Sequence, residues 1–155
     1  MKTIISLSII SLAATLSIGF TSCENESDTT KPVIQLIEPE EDDILQIGDD
    51  VHFEMELSDD VALGSYKVEI HSNFDGHNHE TKAEDETVAF YFERSWDDIA
   101  GQKNASIHHH EIIIPENTIP GDYHLIVYCV DAAGNETHVA LNIVLSHEGG
   151  EAHEH

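Results

Sequence analysis

The stretch from Gly121 to Leu145 constrains the fold more than any other. Tyr123, Leu125, Val127 and Cys129 share one parity, so an extended chain puts them on one face. Ala132-Ala-Gly-Asn135 supplies a turn. Val139, Leu141, Ile143 and Leu145 then repeat the parity on the return. Two strands joined this way form a hairpin with one buried face, and that face needs a second layer to cover it.

The same period runs through the rest of the chain. Val33–Ile37 is a short apolar strand closed by Pro39. In Val51-His-Phe-Glu-Met-Glu-Leu57 the apolar residues go inward, while His52, Glu54 and Glu56 face out. Tyr66, Val68 and Ile70 alternate with Lys67, Glu69 and His71. Val88–Glu93 and Ile107–Ile114 are two further strands, with an irregular stretch from Trp96 to Asn104 between them. No segment has a helical period, and nothing marks an internal repeat or a second domain. The expected fold is all-β: an immunoglobulin-like antiparallel sandwich of about seven strands over residues 31–146. Tyr123 stands where such sandwiches carry a tyrosine corner, and Asp131-x-x-Gly134-Asn135 resembles the last turn of many bacterial domains of this type.

Residues 1–22 read as a signal peptide: Met1-Lys2, an apolar run from Ile4 to Phe20, then Thr21-Ser22 before Cys23. The apolar core is too short for a transmembrane anchor. Cys23 resembles the modified cysteine of a bacterial lipoprotein box, which implies cleavage before it and lipidation of its thiol. Phe20 departs from the leucine usual at that position. Residues 23–30 form a polar tether with an acidic run, Glu24-Asn-Glu-Ser-Asp28, that resembles surface-export signals of some Gram-negative lipoproteins. The expected location is the cell envelope, as an outer-membrane lipoprotein facing outward or into the periplasm. Residues 147–155 read as a disordered histidine-rich tail.

The charge excludes one class of partner. With 31 acidic residues against 6 Lys plus Arg, the net charge is −25, which repels nucleic acid and anionic lipid. It attracts cations, and it also serves solubility. Twelve histidines stand beside only two cysteines, so a metal site here would use nitrogen and oxygen donors and not a thiolate finger.

Histidine placement nominates the sites. His77 and His79 are an i, i+2 pair that can bite one cation. In the expected sheet, the strand ending at His71 lies beside the strand beginning with Asp122, so His71 and His124 become neighbours on the outer face. His71, His77, His79 and His124 are the leading set, with Asp75 or Glu80 available to complete the shell or orient a ring. Zn2+ suits such donors, and Cu2+ or Ni2+ would accept them too. His108 and His110 form a second two-ligand bite, expected near the opposite pole with His138, while His147, His153 and His155 lie in the tail. A solvated, histidine-rich loop is the alternative account of the leading set.

Three functions follow in order of support. The first is sequestration or delivery of a transition metal at the envelope, with an outer-membrane transporter as a candidate recipient. The second is a protein- or glycan-binding adhesion module with incidental histidines, using the outward apolar residues Ile126 and Val144. The third is a zinc hydrolase, for which Glu80 would be the base. No nucleophile elbow, helical His-Glu-x-x-His or phosphate-cradling loop is present, so a non-enzyme is expected. Cys129 reads as a buried small hydrophobe and Trp96 as a core plug or loop anchor.

Three features carry a family resemblance: His71-Ser-Asn-Phe-Asp-Gly-His-Asn-His79, the Ile-Pro pairs before Gly121-Asp-Tyr-His124, and Val127-Tyr-Cys-Val-Asp-Ala-Ala-Gly-Asn-Glu136. They resemble domain-of-unknown-function family 4625 over roughly residues 30–145. The resemblance implies Gram-negative lipoproteins with an immunoglobulin-like domain, and it assigns no activity.

Overall fold

The computed structural model describes residues 27–73 and 87–149. Among them are eight strands: β1 (Val33–Glu38), β2 (Asp43–Gln46), β3 (Asp50–Ser58), β4 (Leu63–Ser72), β5 (Phe92–Trp96), β6 (Asn104–Ile113), β7 (Gly121–Asp131) and β8 (Glu136–Ser146). They form two sheets, ordered β1-β3-β6 and β2-β8-β7-β4-β5. The neighbouring strands pair antiparallel, except β2, which runs parallel to β8. This is the expected β-sandwich, with one strand more than the expected seven.

The extra strand is β2. Four residues beside the acidic run Glu40–Asp43 leave too little pattern to mark a strand, and β8 supplies the pairing that makes it one. The fifth strand also shifts. It covers Phe92–Trp96, not Val88–Glu93, and Val88 makes only an isolated bridge to Thr118. Phe90 is buried, and its N–H is donated to the Tyr123 hydroxyl, so this apolar run plugs the core.

Alternation builds the interior. Val51, Phe53, Met55 and Leu57 of β3 face Tyr66, Val68 and Ile70 of β4 and Tyr123, Leu125, Val127 and Cys129 of β7. Burying a side chain of this size contributes about 1.5–3 kcal/mol, before conformational entropy is set against it. The tyrosine corner is present: the Tyr123 hydroxyl donates to the Ile119 carbonyl at 2.8 Å and accepts the Phe90 N–H at 3.2 Å. Burial also raises the Tyr123 phenol above its usual range. Gly64 sits at an irregularity between β4 and β7, where a Cβ would lie 2.7 Å from the Asp131 carbonyl oxygen. Only glycine lets the two backbones approach so closely there.

One irregularity in β6 governs the site. Phe53 pairs with His109, but Val51 pairs with Ile112, so β6 carries one extra residue in that interval. Without this bulge, Glu111 would take the inward place that Ile112 fills. Glu111 instead turns to the neighbouring edge strand. It accepts from Trp96 Nε1 at 3.1 Å and pairs with Arg94 Nη1 at 2.8 Å. The edges of the two sheets, β5 and β6, are thereby joined across the side of the sandwich. Trp96 anchors this seam by stacking on Tyr66 and on His109, with ring centroids 4.8 and 5.0 Å apart.

Candidate metal site

The outer face of β3 and β6 brings three histidines together. His52 faces out between buried Val51 and Phe53, and His108 and His110 face out on β6 on either side of His109. The His52 ring lies 4.9 Å from His108 and 5.1 Å from His110, and His108 lies 5.5 Å from His110. One ligand atom from each ring falls within 4.8 Å of the others. All three residues are exposed. Zinc–nitrogen bonds of about 2.0–2.1 Å place ligand atoms a little over 3 Å apart, so small rotations of exposed rings would close the set on one ion.

Carboxylates surround the cluster. Asp50 Oδ2 lies 2.5 Å from His110 Nδ1. This bond is the main cause that holds the Asp50 carboxyl below its usual range. It also occupies Nδ1, which leaves Nε2 of His110 as the atom free to ligate. Glu54 lies directly across from His108, with Oε2 4.0 Å from His52 Nε2.

His109 points the other way. It stacks between Phe53 and Trp96, each ring centroid 5.0 Å away. Burial lowers its pKa and outweighs the opposing pull of Glu111. The middle histidine of the run is thus part of the packing and not a ligand.

The leading set of the sequence is divided. His71 and His124 are direct cross-strand partners on the outer face of the larger sheet, with rings edge to face at 5.4 Å. His71 Nδ1 lies 3.4 Å from Glu69 Oε1, an ion-pair distance without an aligned hydrogen bond. Among the described residues no third ligand makes a compact group with this pair. His77, His79, Asp75 and Glu80 lie outside the described residues, as do Cys23, His153 and His155.

The pole expected for His108 and His110 is corrected by the strand bounds. β6 begins at Asn104, not Ile107, so His108 sits at mid-strand and His110 beyond it, and Asp50 holds His110 near the end where β3 starts. His138 belongs to the other sheet, where its ring lies 5.7 Å from Tyr128. The two histidine groups are separated by the thickness of the sandwich, since they occupy outer faces of different sheets.

His52 and Asp50 are not among the residues the sequence nominates. Alternation places His52 outward, but only the β3–β6 register sets it beside His108 and His110. The usual pairing of the second and fifth strands of an immunoglobulin-like sandwich is the signal that could have found it.

Other groups have structural accounts. Cys129 is a buried free thiol, and burial pushes it up to about 11, which suits packing and not nucleophilic chemistry. Asp28, Asp59 and Asp60 form a second compact group, at the β3–β4 turn. There Asp59 Oδ1 accepts the N–H groups of Val61 and Ala62. Ile126 and Val144, the apolar residues open to a protein or glycan, are half-buried in the larger sheet.

Residues 21–146 match a family described as a domain of unknown function (DUF4625), and the chain belongs to that family. A comparison with curated proteins finds no match.

Proposed function

We propose that this member of the DUF4625 family is a lipid-anchored envelope protein that binds a divalent transition-metal ion through His52, His108 and His110. The observation that carries this reading is the compact set of three imidazoles on two neighbouring strands, one of them held by a carboxylate. Rigid strands preorganise the ligands, so little entropy is lost when the ion arrives. Zn2+ is the first choice for such donors, and Cu2+ and Ni2+ are accepted by the same set. The strongly acidic surface concentrates cations near the site.

The exposed setting favours binding over catalysis, because catalytic metals work in water-excluding, shaped cavities. It also suits an ion that is stored and then handed to a partner such as an outer-membrane transporter. The tether supports an orientation for this exchange. Asn135 Nδ2 donates to the Asp28 carbonyl at 3.1 Å, so the chain enters the sandwich at the β7–β8 turn. Cys23 precedes Asp28 by five residues, a reach of roughly 17 Å at full extension. Lipidated there, the protein would hold that pole toward the membrane and the His110 end away from it.

Zinc titration of the full chain in detergent tests the reading. One ion should bind per chain near neutral pH. Replacing His108 and His110 together by alanine should abolish that binding, while replacing His71 and His124 should spare it. Absence of stoichiometric binding would overturn the proposal. Loss only in the His71 and His124 variant would move the site to the larger sheet.

A further inference from the structure

We infer that Glu54 is the fourth ligand of the same ion, so that three imidazoles and one carboxylate make a complete shell. This rests on the metal-binding reading above and adds to it the donor that closes the coordination sphere.

Register carries the argument. His52 and Glu54 are i, i+2 neighbours on the outer face of β3, and His108 and His110 are i, i+2 neighbours on the outer face of β6. The pairing sets Glu54 across from His108. His52 lies across from the bulged residues, with its ring stacked on His110 at 5.1 Å. The four side chains therefore occupy the corners of a two-by-two patch. Directly opposed residues in an antiparallel pair have Cβ atoms about 4.5–5.5 Å apart, which lets long side chains converge above the sheet. Three corners are imidazoles, and the fourth is the only carboxylate among them. Glu54 Oε2 already lies 4.0 Å from His52 Nε2, and its side chain is partly exposed, hence free to swing.

Asp50 extends the same face one step beyond His52, but its carboxylate is engaged by His110 Nδ1. Glu56 lies one step beyond Glu54 on the other side, opposite Ser106, with no imidazole across from it. The three outward carboxylates of β3 are therefore unequal. Asp50 orients a ring, Glu54 reaches the ion, and Glu56 contributes only field.

A carboxylate donor also sets the class of ion. Three neutral imidazoles and one anionic oxygen suit borderline divalent ions, whereas Cu+ prefers thiolate and thioether ligands, which none of the described residues brings to this face. The site should accept Zn2+, Cu2+ and Ni2+ and discriminate against Cu+.

The test compares two isosteric variants of the full chain, Glu54→Gln and Glu56→Gln, by competitive Zn2+ titration. Both residues lie on the open outer face, and each change removes one negative charge. The outer-shell partners of metal ligands are worth about tenfold to a hundredfold in affinity, and a direct ligand should be worth at least that. Glu54→Gln should thus weaken zinc at least tenfold, with Glu56→Gln close to the parent chain. Unchanged affinity in Glu54→Gln overturns the inference, as does an equal loss in both variants, which would reduce Glu54 to a field effect. If the parent chain binds no zinc, the metal-binding reading itself fails. If it binds zinc and Glu54→Gln matches it, only the fourth ligand fails.

Discussion

Asp50 and His110 are bound carboxylate to imidazole, with Oδ2 2.5 Å from Nδ1, at the margin of the three-histidine cluster. The bond decides which nitrogen of His110 faces an ion. Without it the ring can present either atom and rotate freely. Asp50→Ala should therefore lower zinc affinity by about tenfold to a hundredfold in competitive titration, and Asp50→Asn should recover part of the loss. Thermal stability should hardly move, because both side chains are exposed and surface pairs contribute little.

His109 gives the fold an acid sensitivity that the metal face does not require. The Glu111 N–H approaches His109 Nδ1 at 3.4 Å, which leaves the proton of the neutral ring on Nε2, a buried atom with no hydrogen-bond partner among the described residues. Burial lowers the pKa of the ring in the folded state. As pH falls below about 6.5, the unfolded chain takes up the proton first. The stability is present above that pH and is lost as pH falls through the depressed value. His109→Phe keeps an aromatic ring against Phe53 and Trp96 and removes both the titration and the orphaned donor. Its melting temperature should fall less than that of the parent between pH 7 and pH 5. At pH 7 it should match or exceed the parent by about 1 kcal/mol.

The tyrosine corner predicts a larger cost. Tyr123→Phe removes one hydroxyl and strands two backbone groups, the Ile119 carbonyl and the Phe90 N–H. Leaving a buried polar group unsatisfied costs about 1–3 kcal/mol. Urea denaturation should show a lower midpoint with an unchanged slope, since the surface exposed on unfolding is the same.

Gly64→Ala tests the close approach of β4 and β7. The added methyl would meet the carbonyl oxygens of Asp131 and Val130 at 2.7 and 2.9 Å, both backbone atoms that cannot rotate away. The strands must part, at a cost of about 1–3 kcal/mol. Because Leu63 and Asp131 pair at the pole far from His110, zinc affinity should be unaffected when measured below the melting range.

The sandwich was legible because alternation is local. Val51 to Leu57 and Tyr123 to Cys129 each reveal their inward face from spacing alone. The pairing of His71 with His124 was legible too, because strand order in this class of fold puts those strands side by side. The cluster was not. Alternation pairs His108 with His110 and sets His109 apart, but only the sandwich decides that the middle ring stacks on Phe53. His52 stands 56 residues before His108, so no spacing rule connects them. The bulge that restores Ile112 to the interior has no marker in sequence, since neither Gly nor Pro accompanies it.

Among the described residues β6 is an edge strand, bonded through its backbone to β3 on one side alone within its sheet. Edge strands fray first, and their amide protons exchange with solvent through small local openings. An ion gripped from β3 and β6 at once would rivet this edge to its neighbour. Opening the edge would then require releasing the cation as well as breaking the ladder. Amide exchange along Ser106–Ile112 would slow on loading while the β7–β8 hairpin kept its rate. The histidine face would thus report its own occupancy through the breathing of the strand beneath it.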